Sequence, residues 1–118
     1  MSKGTSPTKL SLAELRKRGY TCGITEKWNS FVKRRIDYLG IIDIICVHPI
    51  KKEVLGVQAT TDTGGQVSKH KQKCQKNKNL KIWLDSGCKF CIHGWTKKGK
   101  VGKRKLWTLR EVEVDKDA

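Results

Sequence analysis

Gly40-Ile41-Ile42-Asp43-Ile44-Ile45, followed fifteen residues after the acid by Gln58-Ala59-Thr60, is the stretch on which the fold turns. Residues 39–47 are apolar at almost every position, the pattern of a central strand covered on both faces. One carboxylate interrupts that run. Burying it costs on the order of several kcal/mol unless a cation compensates. Asp43 is therefore either a metal ligand or a core acid salt-bridged to Arg34 or Arg35.

Working outward, His48-Pro49-Ile50-Lys51-Lys52-Glu53 reads as a turn and residues 54–60 as the returning strand. If His48 pairs with Glu53, residue numbers across this hairpin sum to 101, and Asp43 faces Gln58. Side chains alternate along a strand, so Asp43, Gln58 and Thr60 share one face. Ile42, Ile44, Leu55, Val57 and Ala59 are core material. A slip of one residue would destroy the convergence, so the reading depends on register.

The remaining elements build a mixed α/β domain whose central sheet has four or five strands flanked by helices. A first helix starts near Pro7 or near Leu12 and runs to Lys17, with Ser6-Pro7 or the capping box Ser11-Leu-Ala-Glu14 as its start and Gly19 as its stop. Residues 20–27 suit a short strand, and 28–35 are basic and ambiguous. Residues 68–75 form a short basic helix and 80–85 a further helical turn. Residues 88–95 and 106–114 are strands joined by the basic loop 97–105. The chain divides into a flexible tail (1–6), one domain (7–114) and an acidic end (115–118).

The 118 residues carry 26 Lys+Arg against 11 Asp+Glu, a formal charge of +15. Four of the acids fall in the last eight residues, so residues 1–110 hold 25 basic and 7 acidic side chains. Such a field attracts polyanions, nucleic acid before an anionic membrane. No stretch approaches the ~20 apolar residues of a membrane-spanning helix. The N-terminus lacks an apolar signal core, and the five cysteines are an odd number. Both point to an intracellular, reducing location, the cytoplasm or a host-cell cytoplasm for a viral protein, without a disulfide framework. Cys88-Lys-Phe-Cys91-Ile-His93 invites a zinc reading, but no second Cys-x-x-Cys accompanies it, and a strand would point Cys88 and Cys91 to opposite faces. Zinc is disfavoured. Trp95 and Trp107 are assigned to the core.

Asp43 followed by Gln58-Ala59-Thr60 on the next strand resembles the core of the PD-(D/E)XK nuclease superfamily, in particular its Holliday-junction-resolvase-like and small phage-type endonucleases. Arg34-Arg35-Ile-Asp37 before Gly40-Ile-Ile-Asp43, and Trp83-Leu84, Gly87 and His93-Gly-Trp95-Thr-Lys97 beyond, extend the resemblance over residues 10–110. It implies a restriction-endonuclease-like core and hydrolysis of DNA phosphodiesters, on branched or flapped DNA, with Mg²⁺ or Mn²⁺. It puts Asp43 at the metal-binding Asp, Glu14 at the helix Glu, Gln58 at the second acid and Thr60 at the motif Lys. The last two depart from the pattern. Gln58 is a weaker ligand than an acid, and Thr60 is not a cation. Lys69 or Lys71 on the following helix is the expected replacement ammonium, and Asp37 a secondary acid. Resolvases imply a homodimer.

The expected DNA contacts are Arg34, Arg35, Lys69, Lys71, Lys73, Lys97, Lys98, Lys100, Lys103 and Arg104. Two other readings stand beside the nuclease. One is a DNA-binding module on the same fold without catalysis; the other is a basic RNA-binding accessory protein.

Overall fold

A computed structural model of the chain describes residues 6–25, 27–98 and 106–115, with the side chain of Arg35 outside that description. Helix α1 spans Pro7–Lys17, capped by the Ser6 side chain accepting from the Lys9 N–H at 3.2 Å, with Pro7 in the first turn where no N–H is needed. Ser6 is thus the cap. Ser11 is an interior helix residue, so the capping box with Glu14 does not form.

Five strands make the main sheet: β1 (Thr21–Ile24), β4 (Ile44–His48), β5 (Glu53–Thr61), β6 (Lys89–Lys98) and β7 (Leu106–Glu113), adjacent in that order. Between β1 and β4 the chain leaves the sheet to form a separate hairpin, β2 (Lys27–Asn29) and β3 (Arg34–Ile36). The sheet is mixed: β5 and β6 are parallel, and the other neighbours antiparallel. A parallel pair needs a crossover. Helices α2 (Gln66–Gln75) and α3 (Lys78–Asp85) supply it. β5 and β6 accordingly carry the longest buried runs, Leu55–Gln58 and Phe90–Trp95.

The sheet separates two cores. On one face Leu12 and Leu15 of α1 pack with Ile44, Cys46, Leu55, Val57 and Cys91. On the other, Val67, Cys74 and Leu80 of the crossover helices pack with Ile41, Ile42, Phe90, Ile92 and Val114. Truncating a wholly buried member such as Leu15 to Ala costs about 2–5 kcal/mol. Gly94 allows the second face to close. A Cβ there would stand 2.3 Å from Cγ2 of Val67, so any side chain would push α2 off the sheet.

The apolar run differs from its sequence reading at one end. Residues 39–42 are a turn rather than strand. Leu39 and Gly40 have φ of 58° and 80°, and Tyr38 bridges back to Ile42. The turn is held from α3, where the Asn77 and Asn79 side-chain amides both donate to the Leu39 carbonyl, at 3.2 and 3.3 Å. Beyond it the expected hairpin register holds, from Ile44 opposite Val57 to His48 opposite Glu53. Trp95 is buried as expected. Trp107 is not core: it is half-buried on β7 with the Lys97 ammonium 5.2 Å from its ring centre.

Candidate functional site

Asp43 and Gln58 are 5% and 3% exposed. Asp43 sits where the turn enters β4. Its backbone N–H donates to the Val57 carbonyl at 2.9 Å, and its carboxylate accepts from the Ala59 N–H at 2.9 Å. The β5 backbone thereby fixes the orientation of the carboxylate. A hydrogen bond to the charged form offsets part of its desolvation.

Gln58 does not bond Asp43. Its amide nitrogen donates to Asp37 Oδ2 at 3.4 Å, and its Oε1 accepts from His70 Nδ1 at 3.1 Å and from the Cys74 thiol at 3.3 Å. Both α2 residues face the sheet because Val67, His70 and Cys74 fall at i, i+3 and i+7, one stripe of a helix. Asp37 arrives from the other side, one residue beyond β3. Two acids, an amide, an imidazole and a thiol thus converge where β4, β5 and α2 meet. Burial pushes the Cys74 thiol up to about 12, with Asp43 and Asp37 adding to the rise and Lys73 opposing it. Burial also lowers the pKa of His70, as does Lys73, against an opposing pull from Asp37.

Glu14 is not part of it. It lies on α1, across the sheet, paired with Nε of Arg18 at 2.8 Å. Thr60 donates its hydroxyl to the Thr61 carbonyl at 3.1 Å. Lys69 is exposed and Lys71 half-buried on α2, and the ammonium whose field is felt at His70 and Cys74 is that of Lys73. Arg34 projects from the separate hairpin, and Lys97 and Lys98 end β6, all exposed. Lys100, Lys103 and Arg104 lie outside the described residues.

A second polar cluster occupies the α1 face. Trp95 Nε1–H donates to Ser11 Oγ at 2.9 Å, and Ser11 Oγ lies 2.8 Å from His93 Nδ1. His93 Nε2 lies 2.7 Å from Glu111, which Arg18 also holds at 2.8 Å. Glu111 is lowered to about 2, first by the His93 hydrogen bond and then by Arg18, against its own burial. Donor atoms of Cys91, His93 and Glu111 lie within 4.8 Å of one another, a set able to hold a metal ion. Here both ring nitrogens and the carboxylate already have protein partners, and a guanidinium stands where a cation would be repelled. All five cysteines are free thiols.

Comparison of the chain with protein-family models, with curated proteins and with solved structures finds no match.

Proposed function

We propose that this protein binds DNA and hydrolyses its phosphodiesters with a hard divalent cation, Mg²⁺ or Mn²⁺, held by Asp43 and Asp37. The observation that carries this reading is that the two carboxylates are held by adjacent residues of β5, Asp37 by the Gln58 amide and Asp43 by the Ala59 N–H. The donor set fits such an ion, since carboxylate oxygens are its preferred ligands. Gln58 is a positioning residue rather than a ligand, because its oxygen faces His70 and Cys74 while its N–H₂ orients Asp37. A bound cation supplies a more acidic water and neutralises charge on the phosphate.

The chain's own residues do the rest. The Ala59 N–H holds the Asp43 carboxylate in one orientation. Lys73 adds positive potential beside the site. Lys69 and Lys73, exposed on the same helix, bind flanking phosphates. The formal charge of +15 favours nucleic acid as the polyanion bound.

The test is cleavage of supercoiled, branched and flapped DNA with Mg²⁺ or Mn²⁺, wild type beside Asp43→Ala. Cleavage lost in the variant, with DNA affinity kept, supports the reading. DNA binding by the wild type without any metal-dependent cleavage leaves the non-catalytic module, which the placing of Gln58 Oε1 and Thr60 Oγ1 favours. Preference for structured RNA over branched DNA at matched salt removes both. Unchanged cleavage by Lys69→Ala and Lys71→Ala forms removes those lysines as the replacement ammonium.

A further inference from the structure

The β2–β3 hairpin is the part of the molecule least accounted for by folding. It pairs only with itself, outside the main sheet, and an isolated two-stranded hairpin is marginal in water. Yet it carries exposed apolar side chains, two of them aromatic. Phe31 at its tip is 95% exposed, Trp28 60% and Val32 48%. The tip is built rather than loose: Asn29 Oδ1 accepts from the N–H groups of both Phe31 and Val32, at 2.9 and 3.2 Å, and Lys33 takes a left-handed φ of 54°. Lys27, Lys33 and Arg34 surround it, all exposed.

An aromatic thrust out among cations suits one occupant better than others. A protein partner would demand a broad apolar surface; here the apolar tip is narrow and ringed by positive charge. DNA offers phosphates to the cations and stacked bases to the ring, and apolar wedges of this kind open base steps. The end of the hairpin also leads directly into Asp37, so whatever grips the tip lies one strand away from the carboxylate cluster.

We propose that the hairpin is a branch-reading wedge, with Phe31 stacking on an unpaired or splayed base while Lys27, Lys33 and Arg34 hold the adjacent phosphates. The proposal rests on the DNA-binding part of the reading above and is independent of cleavage. It is tested by fluorescence anisotropy on a four-way junction and on a linear duplex of the same sequence, in EDTA, with 2-aminopurine at the branch point as a second readout. Phe31→Ala is expected to weaken junction binding roughly tenfold, the scale of one lost base-stacking contact, and to abolish the rise in 2-aminopurine fluorescence. Linear duplex binding should change little, and Phe31→Trp should restore the junction preference. Because the Phe31 side chain is almost wholly exposed, its replacement does not threaten the fold.

Equal junction binding by wild type and Phe31→Ala overturns the wedge while leaving the nuclease reading untouched. So does Phe31-dependent binding to anionic phospholipid vesicles with no Phe31 effect on DNA. Phe31-dependent junction binding by a protein that never cleaves supports the wedge and overturns only the nuclease. Absence of any DNA binding by the wild type overturns both.

Discussion

The two faces of the sheet each bury a polar cluster, and the clusters are built on opposite logic. On the α1 face, Ser11, His93 and Glu111 stand in the spatial order of a nucleophile, a base and an orienting acid. Yet Ser11 is wholly buried, its oxygen also accepts from Trp95, and Glu111 is held by Arg18. The Ser11 hydroxyl and both His93 ring nitrogens have fixed partners, and no substrate can reach the hydroxyl. That cluster ties α1, β6 and β7 together. On the α2 face, the Asp37 carboxylate accepts from the Gln58 amide and the Asp43 carboxylate from the neighbouring Ala59 N–H, so both acids are held by adjacent residues of β5. Resemblance to a catalytic triad is therefore a poor guide to function. On the α1 face a guanidinium already compensates the carboxylate, and the cluster stabilises the fold.

The sharpest way to break this contrast is to disable one member on each face. Asp37→Asn should lower metal-dependent cleavage at least about 100-fold, since a metal's stabilisation of the transition state is worth several kcal/mol. Ser11→Ala, measured in the same assay on folded protein, should leave the rate within about twofold. Equal losses would erase the distinction.

Stability should show the reverse. Ser11→Ala strands the buried Trp95 N–H and removes the partner of His93 Nδ1, and should cost about 1–3 kcal/mol in urea unfolding. Asp37→Asn should stay within about 0.5 kcal/mol.

Gln58→Glu sharpens the electrostatic side. A third carboxylate beside Asp37 should lower Tm in EDTA, and millimolar Mg²⁺ should raise it again by a few degrees, more than in wild type, because ligand binding to the folded state is stabilising. No difference between the two media would argue against a cation there.

The smallest effect concerns acid. Glu111 is about 2 in the folded protein against an ordinary 4.5. A depressed carboxylate adds stability that is full above pH 4.5 and disappears as pH falls towards 2. Glu111→Gln should flatten the stability–pH curve within that window and leave cleavage at neutral pH unchanged. The side chain is over a third exposed, which keeps the effect small.

Much of the frame was legible beforehand. A turn at Pro49–Lys52 with His48 opposite Glu53 fixes the β4–β5 register, and the structure pairs Ile44 with Val57 as that register requires. The mixed sheet flanked by helices follows from the order of patterns. Three features were hidden for distinct physical reasons. The turn at Leu39–Gly40 is imposed from a distance, by Asn77 and Asn79 on α3. The β2–β3 hairpin lacks the apolar alternation that marks a buried strand. The convergence of His70 and Cys74 on Gln58 depends on how α2 docks, although the i, i+3, i+7 stripe with Val67 was a readable sign of the face involved. The Gln58 amide bonds Asp37, whose approach from beyond the β2–β3 hairpin no local sequence pattern indicates.

The parallel pairing of β5 with β6 has a kinetic consequence. β4 and β5 meet across a tight turn, whereas Leu55 meets Lys89 only after α2 and α3 have been threaded between them. Closing that long loop carries the greater entropy cost, so the β4–β5 hairpin forms early and β6 docks late. Asp43 and Gln58 belong to the early hairpin; His70 and Cys74 arrive with the crossover. Pulse-labelling hydrogen exchange during refolding is therefore expected to protect the Asp43 N–H, bonded to the Val57 carbonyl, before the β6 amides that pair with β5.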